Sequence, residues 1–301
     1  VFQGHLFVHD QLLSESPLKD HPLNPMHDAN LVRVLARQSR SPVGLVPCQT
    51  VELGPEAVRA ALAALAASGM AAAIVDAVND AQFETLGAVA HDYPLSTGAS
   101  GLGIGLACAI RAGQTNRLEP AADWPAGPEG QSQAAILAGS CSSATIAQIA
   151  QVERQMPVLH LDVAALVAGA DMVAASLAWA RERLGQGPVL IASSATPDVV
   201  RALQTRHGGA NLGRRIEQAL AAIAEGLVAS GVGRLVVAGG ETSGAVVNQL
   251  GLEAFRIGAE IAPGVPALGV IGGHHAGLRL ALKSGNFGGP DFFAQALRAL
   301  G

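Results

Sequence analysis

"RLVVAGGETSGAVVNQLG", residues 234–251, runs from an apolar, β-branched segment through two glycines, a carboxylate and two hydroxyls into a helical pattern. The short apolar run bounded by glycine reads as a strand buried on both faces. Glycine at such a junction lets an anion approach the exposed amides of the helix start, where the dipole favours negative charge. A phosphate fits that description, whereas Glu241 repels one unless a cation or water lies between them. A magnesium nucleotide therefore suits the stretch better than a bare phosphate.

The same strand-to-helix unit recurs outward in both directions. Upstream, "AAILAG", "SATIAQIAQVERQ", "PVLHLD", "AASLAWARERLG", "GPVLIAS" and "LGRRIEQALAAIAEGLVASG" alternate extended and helical patterns, and downstream "GLRLALKSG" and "PDFFAQALRAL" continue them. Residues 42–110 carry a separate series of the same kind, from "SPVGLVP" through "AAAIVDA" to "STGASGLGIGLACAI". Alternation of this type implies βαβ units. The predicted fold class is α/β, with two α/β domains that each hold a largely parallel sheet. The stretch "AGQTNRLEPAADWPAGPEGQ" has no period and several prolines, so the domains are expected at 1–117 and 132–301 with a linker at 118–131. Residues 1–41 are less regular: "HLFV" reads as a strand in progress, "LKDHPLNPMHDAN" as a loop, and "NLVRVLARQ" as a helix capped by Asn30. With Val1 so close to that strand, residues normally preceding position 1 are expected to be absent.

Ligands of open parallel sheets bind beyond the carboxyl ends of the strands. Four loops of the second domain have the right chemistry for that edge: "AGSCSSAT" with Ser140, "ASSATP" with Ser193 and Ser194, the opening "GGETSGA", and "LKSGNFGG" with Lys283 and Gly285. Each has a plainer reading. Glycine followed by Ser or Thr is ordinary turn and capping chemistry, Ser193 and Ser194 suit a cap before Pro197, and Lys283 alone suits a solvated strand end. In the first domain, Asp76 ends a strand at the functional edge or caps a helix, Ser100 sits in the glycine-rich turn "STGASG", and His21 lies in the irregular loop.

Other motifs fail on spacing. "GLRLALKS" lacks the glycine of a P-loop before its lysine, "GLGIGLA" lacks the GxGxxG spacing and suits close helix packing, and there is no GxSxG elbow. His274 and His275 are adjacent, which is wrong for chelating one ion, and no metal site is expected in the protein itself. The 301 residues are 50% hydrophobic and 3% aromatic, a composition of aliphatic cores rather than disorder. A net charge of −5 argues against a nucleic-acid partner. Cys48, Cys108 and Cys141 form no CxxC pair, and the longest apolar stretch is broken by Ser68, Gly69 and Asp76, so a cytoplasmic protein with no membrane span is expected.

The blocks "QGHLFV", "LLSESPLKDHPLNPMHDANLVRVL", "VGLV", "IVDA", "STGASGL", "LAGSCSSAT", "VVAGGETSGAVVNQLG", "PGVP" and "LALKSGNFGGPDFF" resemble the four-carbon acid sugar kinase family over nearly the whole chain. The resemblance implies ATP-dependent phosphorylation of a four-carbon sugar acid, such as 3-oxo-tetronate, at its terminal hydroxyl. It implies an N-terminal domain for the acid and a C-terminal nucleotide domain whose site faces the cleft between them. By the same resemblance the nucleotide contacts are Ser140, Gly239, Gly240, Glu241, Thr242 and Gly285, with Lys283 as an added candidate for neutralising phosphate charge. His21, Asp76 and Ser100 are the expected acid-sugar residues. ATP and Mg²⁺ are the expected cofactors, the sugar acid is the expected small-molecule partner, and a homo-oligomer is left open. Two departures from the family pattern stand out: no "DDxTGA" block is present, and Ala99 replaces a glycine in the usual "TGGSG" turn. They keep a noncatalytic nucleotide-binding or sugar-acid-binding relative as the alternative.

Overall fold

The computed structural model describes residues 1–20, 25–113, 133–194 and 209–301. The chain divides into two compact units, Val1–Glu119 and Pro120–Gly301. The expected linker at 118–131 lies outside the described residues.

In the first unit, β1 (Phe7–Val8) and β2 (Gln11–Leu12) form an antiparallel pair turned through His9, whose φ is 56°. The strand expected in "HLFV" is thus only two residues long, because the chain reverses immediately. Helix α1 (Leu31–Gln38) begins at Asn30, whose side chain accepts from the Arg33 amide at 2.9 Å, as a capping asparagine should. Then come β3 (Val43–Val46), α2 (Cys48–Glu52), α3 (Pro55–Ala67), β4 (Ala72–Val75), α4 (Asp80–Ala90) and α5 (Ser100–Gly113). Strands β3 and β4 pair in parallel with Val43 opposite Ala72, and Val46, Val51, Val58 and Val89 form the core beneath them. Ala99 has no positive φ, and its carbonyl accepts from the Leu102 amide at 3.0 Å, so alanine suits the start of α5.

The glycines of "GLGIGLA" have a packing role. Gly105 lies against the backbone of α4: a Cβ on Gly87 would overlap the Gly105 backbone, a Cβ on Gly105 would overlap the Phe83 carbonyl, and Gly101 lies under the Phe83 ring. Gly103 faces open space.

The second unit is a seven-stranded sheet in the order β6-β7-β5-β8-β11-β10-β9. Its elements are β5 (Gln133–Ala138), α6 (Ser143–Val152), β6 (Val158–His160), α7 (Val163–Val167), α8 (Met172–Leu184), β7 (Val189–Ala192), α9 (Gly209–Ala229), β8 (Val232–Ala238), α10 (Gly240–Gln249), β9 (Phe255–Ala262), β10 (Val265–Val270), β11 (Arg279–Lys283) and α11 (Phe292–Ala299). Strands β6, β7, β5, β8 and β11 are parallel, which agrees with the expected class. Strands β9 and β10 form an antiparallel hairpin at one edge that the periodicity did not announce. Edge strand β9 has little buried surface, with Ile257 68% exposed, so it shows no core pattern. Its only local signal is the Pro263-Gly264 turn, where Gly264 has φ 78°. The short helix α7 was likewise not expected.

The central strands are apolar on both faces because helices cover both. Leu137, Ile191, Leu235, Val237 and Leu280 pack with Leu184, Leu220, Ile223 and Val246 of α8, α9 and α10. Their neighbours Ile136, Leu190, Val236 and Ala281 pack with Ile149, Phe292 and Phe293 of α6 and α11. This two-sided burial is why those strands read as continuous apolar runs.

Two glycine substitutions test the helix contact in the first unit. Gly87→Ala should lower stability by about 1–3 kcal/mol through overpacking. Gly103→Ala should be neutral or stabilise by up to about 1 kcal/mol through helix propensity. Urea denaturation followed by circular dichroism separates them, and equal losses would contradict the packing assignment.

Candidate functional site

Four parallel strands of the second unit end at one level. Ala192 pairs with Ala138, Ala138 with Ala238, and Ala238 with Lys283. The ladder continues for one more bond at each junction: the Ser193 amide donates to the Ala138 carbonyl, Gly139 to Ala238, and Gly239 to Lys283, each at 2.9 Å. All four loops singled out in the sequence therefore leave from the same rim. From β5 the chain proceeds to β6 and β7 on one side, and β8 leads toward β11 on the other, so β5 and β8 flank a topological switch point. Parallel sheets bind ligands at such a point.

Helices α6 and α10 both start there, but only one closes its own end. The Ser142 hydroxyl caps α6 by accepting from the Thr145 amide at 3.2 Å. Helix α10 opens at Gly239, with φ 132° and no side-chain cap. The amides of Gly240, Glu241 and Thr242 donate no hydrogen bond among the described residues. A Cβ on Gly240 would meet nothing within 4 Å, whereas Gly139 and Gly239 pack against the buried Thr242 and one on Gly239 would come within 3.2 Å of the Ser140 amide. Two of these glycines exist for close approach, and the third leaves the helix start open.

The fourth loop closes on the same corner. A Cβ on Gly285 would overlap the Ser140 hydroxyl, so Ser140, the segment 239–242 and Gly285 share one site. The Gly285 carbonyl accepts from Ser142 Oγ at 2.7 Å, Lys283 Nζ at 2.8 Å and Thr145 Oγ1 at 2.9 Å. Gln148 Nε2 reaches the carbonyls of Phe287, Gly288 and Gly289, each at 3.0 Å. Lys283 corrects the reading of a solvated strand end: it is 1% exposed. Its ammonium donates to Thr145 Oγ1 and the Ser284 carbonyl, both at 3.1 Å, besides Gly285, and lies 5.7 Å from the centre of the Phe292 ring. Burial pushes its pKa down to about 8.

Glu241 is exposed at the first turn of α10. Burial and then the Glu241 charge hold the Glu217 carboxyl on α9 above its ordinary range, with Arg214 opposing the shift. Ser194 Oγ donates to the Ala138 carbonyl at 3.2 Å, while the buried Ser193 hydroxyl has no partner among the described residues. The cap expected before Pro197 lies outside the described residues, and His274 and His275 fall in the turn between β10 and β11.

In the first unit, His21 lies outside the described residues. Asp76 is fully buried, and its carboxylate accepts from the amides of Gln3 at 2.6 Å, Gly4 at 2.9 Å and Cys48 at 3.0 Å. It is a loop anchor rather than a helix cap, the cap of α4 being Asn79. Ser100 is exposed at the first residue of α5. Neither lines the concavity of about 470 Å³ formed by Val1, Phe2, His9, Val78, Asp80 and Phe83 with their neighbours.

Sequence reasoning missed Thr145, Gln148 and Glu217. Ser142, Thr145 and Gln148 recur every third residue along α6, a polar stripe on one face of an apolar helix, and that spacing was a readable signal. Glu217 carried none, because its proximity to Glu241 arises from packing of α9 on α10.

An open helix start beside a switch point, flanked by hydroxyls and close-packed glycines, is an arrangement suited to an anionic group such as a phosphate. Residues 135–293 match the nucleotide-binding C-terminal domain, and residues 1–106 the sugar-binding N-terminal domain, that together characterise the four-carbon acid sugar kinases. The chain is 61% identical to a 3-oxo-tetronate kinase of Methylobacterium radiotolerans, over 99% of this chain and 70% of that protein. It is 52% identical to a 3-oxo-tetronate kinase of Pseudomonas fluorescens, over 100% of this chain and 68% of that one. A crystal structure from Salmonella typhimurium, described as a putative tRNA synthase, superposes with a TM-score of 0.78 at 36% identity, covering 99% of this chain and 69% of its own. The chain belongs to the four-carbon acid sugar kinase family, a class of sugar-acid kinases.

The buried lysine makes a pH prediction. Its folded pKa lies below the ordinary lysine value of 10.5, so between about 8 and 10.5 the unfolded chain binds the extra proton and stability rises with pH. The cost of burying the charge is fully present below that window. The stability of wild type relative to Lys283→Met should therefore increase as pH rises from about 8 to 10.5. A flat difference in denaturation midpoints across that range would contradict burial as the cause.

Proposed function

We propose that the protein transfers the γ-phosphoryl group of ATP to the terminal, 4-hydroxyl oxygen of 3-oxo-tetronate or a closely related four-carbon sugar acid, in the cytoplasm. The observation that carries this reading is the open first turn of α10 at the rim where the Ser140, Gly239 and Gly285 loops meet. The substrate class follows the names of the relatives and the match to a sugar-binding N-terminal domain. The amides of Gly240, Glu241 and Thr242 would hold phosphate oxygens, with the Ser140 hydroxyl beside them.

Mg²⁺ fits the donor set in part. Glu241 and Glu217 are close enough for one charge to raise the other's pKa, and a divalent cation relieves that repulsion. Two carboxylates with phosphate oxygens and water are an ordinary set for this ion, so Glu241, supported by Glu217, would hold it. When bound, the ion neutralises charge on the phosphates.

Catalysis on this reading is positioning plus charge stabilisation. A P–O bond forms to the acid's hydroxyl oxygen as the bond to ADP breaks, and the hydroxyl proton passes to a base. Aligned amides cost no reorganisation at that moment. In the first unit, Asp76 acts by fixing the backbone at Gln3, Gly4 and Cys48, and Ser100 stays a candidate contact for the acid.

With purified protein, MgATP and 3-oxo-tetronate, a coupled assay should show one ADP per acid consumed, and phosphorus NMR should show a monoester coupled to the two protons of one carbon. ADP release that does not depend on 3-oxo-tetronate, threonate or erythronate would overturn the reading. Gly240→Val fills open space, so the thermal midpoint should stay near wild type while KM for ATP rises about 10-fold or more, the loss of one phosphate contact. An unchanged KM would remove α10 from the site.

A further inference from the structure

A buried lysine without a carboxylate is costly, since a desolvated charge needs compensation. Among the described residues Lys283 forms no salt bridge, and burial is the cause of its lowered pKa. Its partners are the Ser284 carbonyl, the Gly285 carbonyl, Thr145 Oγ1 and the Phe292 ring.

The two carbonyls have a geometric consequence. In a trans peptide the C=O of one residue and the N–H of the next point in opposite directions. Drawing the Ser284 carbonyl inward turns the Gly285 amide outward. Drawing the Gly285 carbonyl inward, with Ser142 and Thr145 pulling the same way, turns the Asn286 amide outward. Neither amide donates a hydrogen bond among the described residues, and Ser284 and Asn286 are exposed. Two successive outward N–H groups form a concavity that takes an anionic oxygen. Ser140 touches this turn on one side and Gly239 on the other.

We propose that Lys283 is a positioning residue that holds the Gly285 and Asn286 amides outward as a second phosphate cradle, across Ser140 from the first turn of α10. The lysine acts from inside the domain and does not touch the nucleotide. The inference rests on the nucleotide site proposed above and adds Asn286, through its backbone, to that site.

Calorimetric titration with ADP and with ATP, together with steady-state kinetics, tests it on three variants. Lys283→Met keeps the side-chain volume and removes the donors. At pH 7 its thermal midpoint should be no lower than wild type, because replacing a buried charge by an apolar group is often neutral or stabilising. Its Kd for ATP should nevertheless rise about 10-fold, with KM for the sugar acid unchanged. Asn286→Pro, which removes one amide proton, should weaken ATP binding to a similar degree. Asn286→Ala, which keeps that proton, should weaken ATP binding several-fold less than Asn286→Pro does. A purely structural lysine would instead lower the midpoint and leave the ATP affinity of the folded fraction intact. That result, or equal affinities for Asn286→Pro and Asn286→Ala, would overturn this inference alone. A wild-type protein that binds neither nucleotide would overturn the underlying site as well.

Discussion

Ala192, Ala138, Ala238 and Lys283 stand side by side at the ends of four parallel strands, and the candidate site depends on that register. Each strand alternates side chains between two buried faces, so a slip of one residue would exchange its whole apolar set between helix layers. The cores on both sides of the sheet forbid the slip. The rim loops thus receive their mutual placement from packed side chains well below them. Four short segments far apart in sequence thus converge, and hydrogen bonds from Ser142, Thr145 and Gln148 to the carbonyls of Gly285, Phe287, Gly288 and Gly289 then tie the last of them in place.

At the rim itself, backbone dipoles take over from packing. In the second unit a buried cation, Lys283, gathers carbonyl oxygens, and in the first a buried carboxylate, Asp76, gathers the amides of Gln3, Gly4 and Cys48. Both charges are fully withdrawn from water, and both are compensated by the loops they organise. A charge placed this way fixes several peptide planes at once, which a neutral hydroxyl cannot do. Glu217 and Glu241 are the opposite case: two like charges brought near each other, so that the Glu217 carboxyl is held above its ordinary range by burial and then by its neighbour.

Much of this was legible in the sequence because the relevant signals are local. Period and glycine placement located the parallel strands and the helices that cover them, and the glycine-bearing corners marked the rim. Asn30 declared its cap. What escaped was set by tertiary packing or by weak pattern. Strand β9 gains too little burial to show alternation, and its hairpin was marked only by Pro263 and Gly264. Lys283 looked like a solvated strand end because the sequence does not show Phe292 and Thr145 closing over it. Asp76 looked like a ligand or a cap, since its three amide partners come from residues up to 73 positions away. The glycine run before Cys108, by contrast, suited close helix packing from its spacing and is a helix contact, although its partner Gly87 on the facing helix could not be named from the sequence.

Backbone hydrogen exchange in the presence and absence of a non-hydrolysable ATP analogue with Mg²⁺ reads the amides directly. Slower exchange should appear at residues 240–242 and at 285 and 286, with the self-capped start of α6 unaffected. Protection confined to other surfaces, or none at saturating nucleotide, would contradict a triphosphate cradle at this rim.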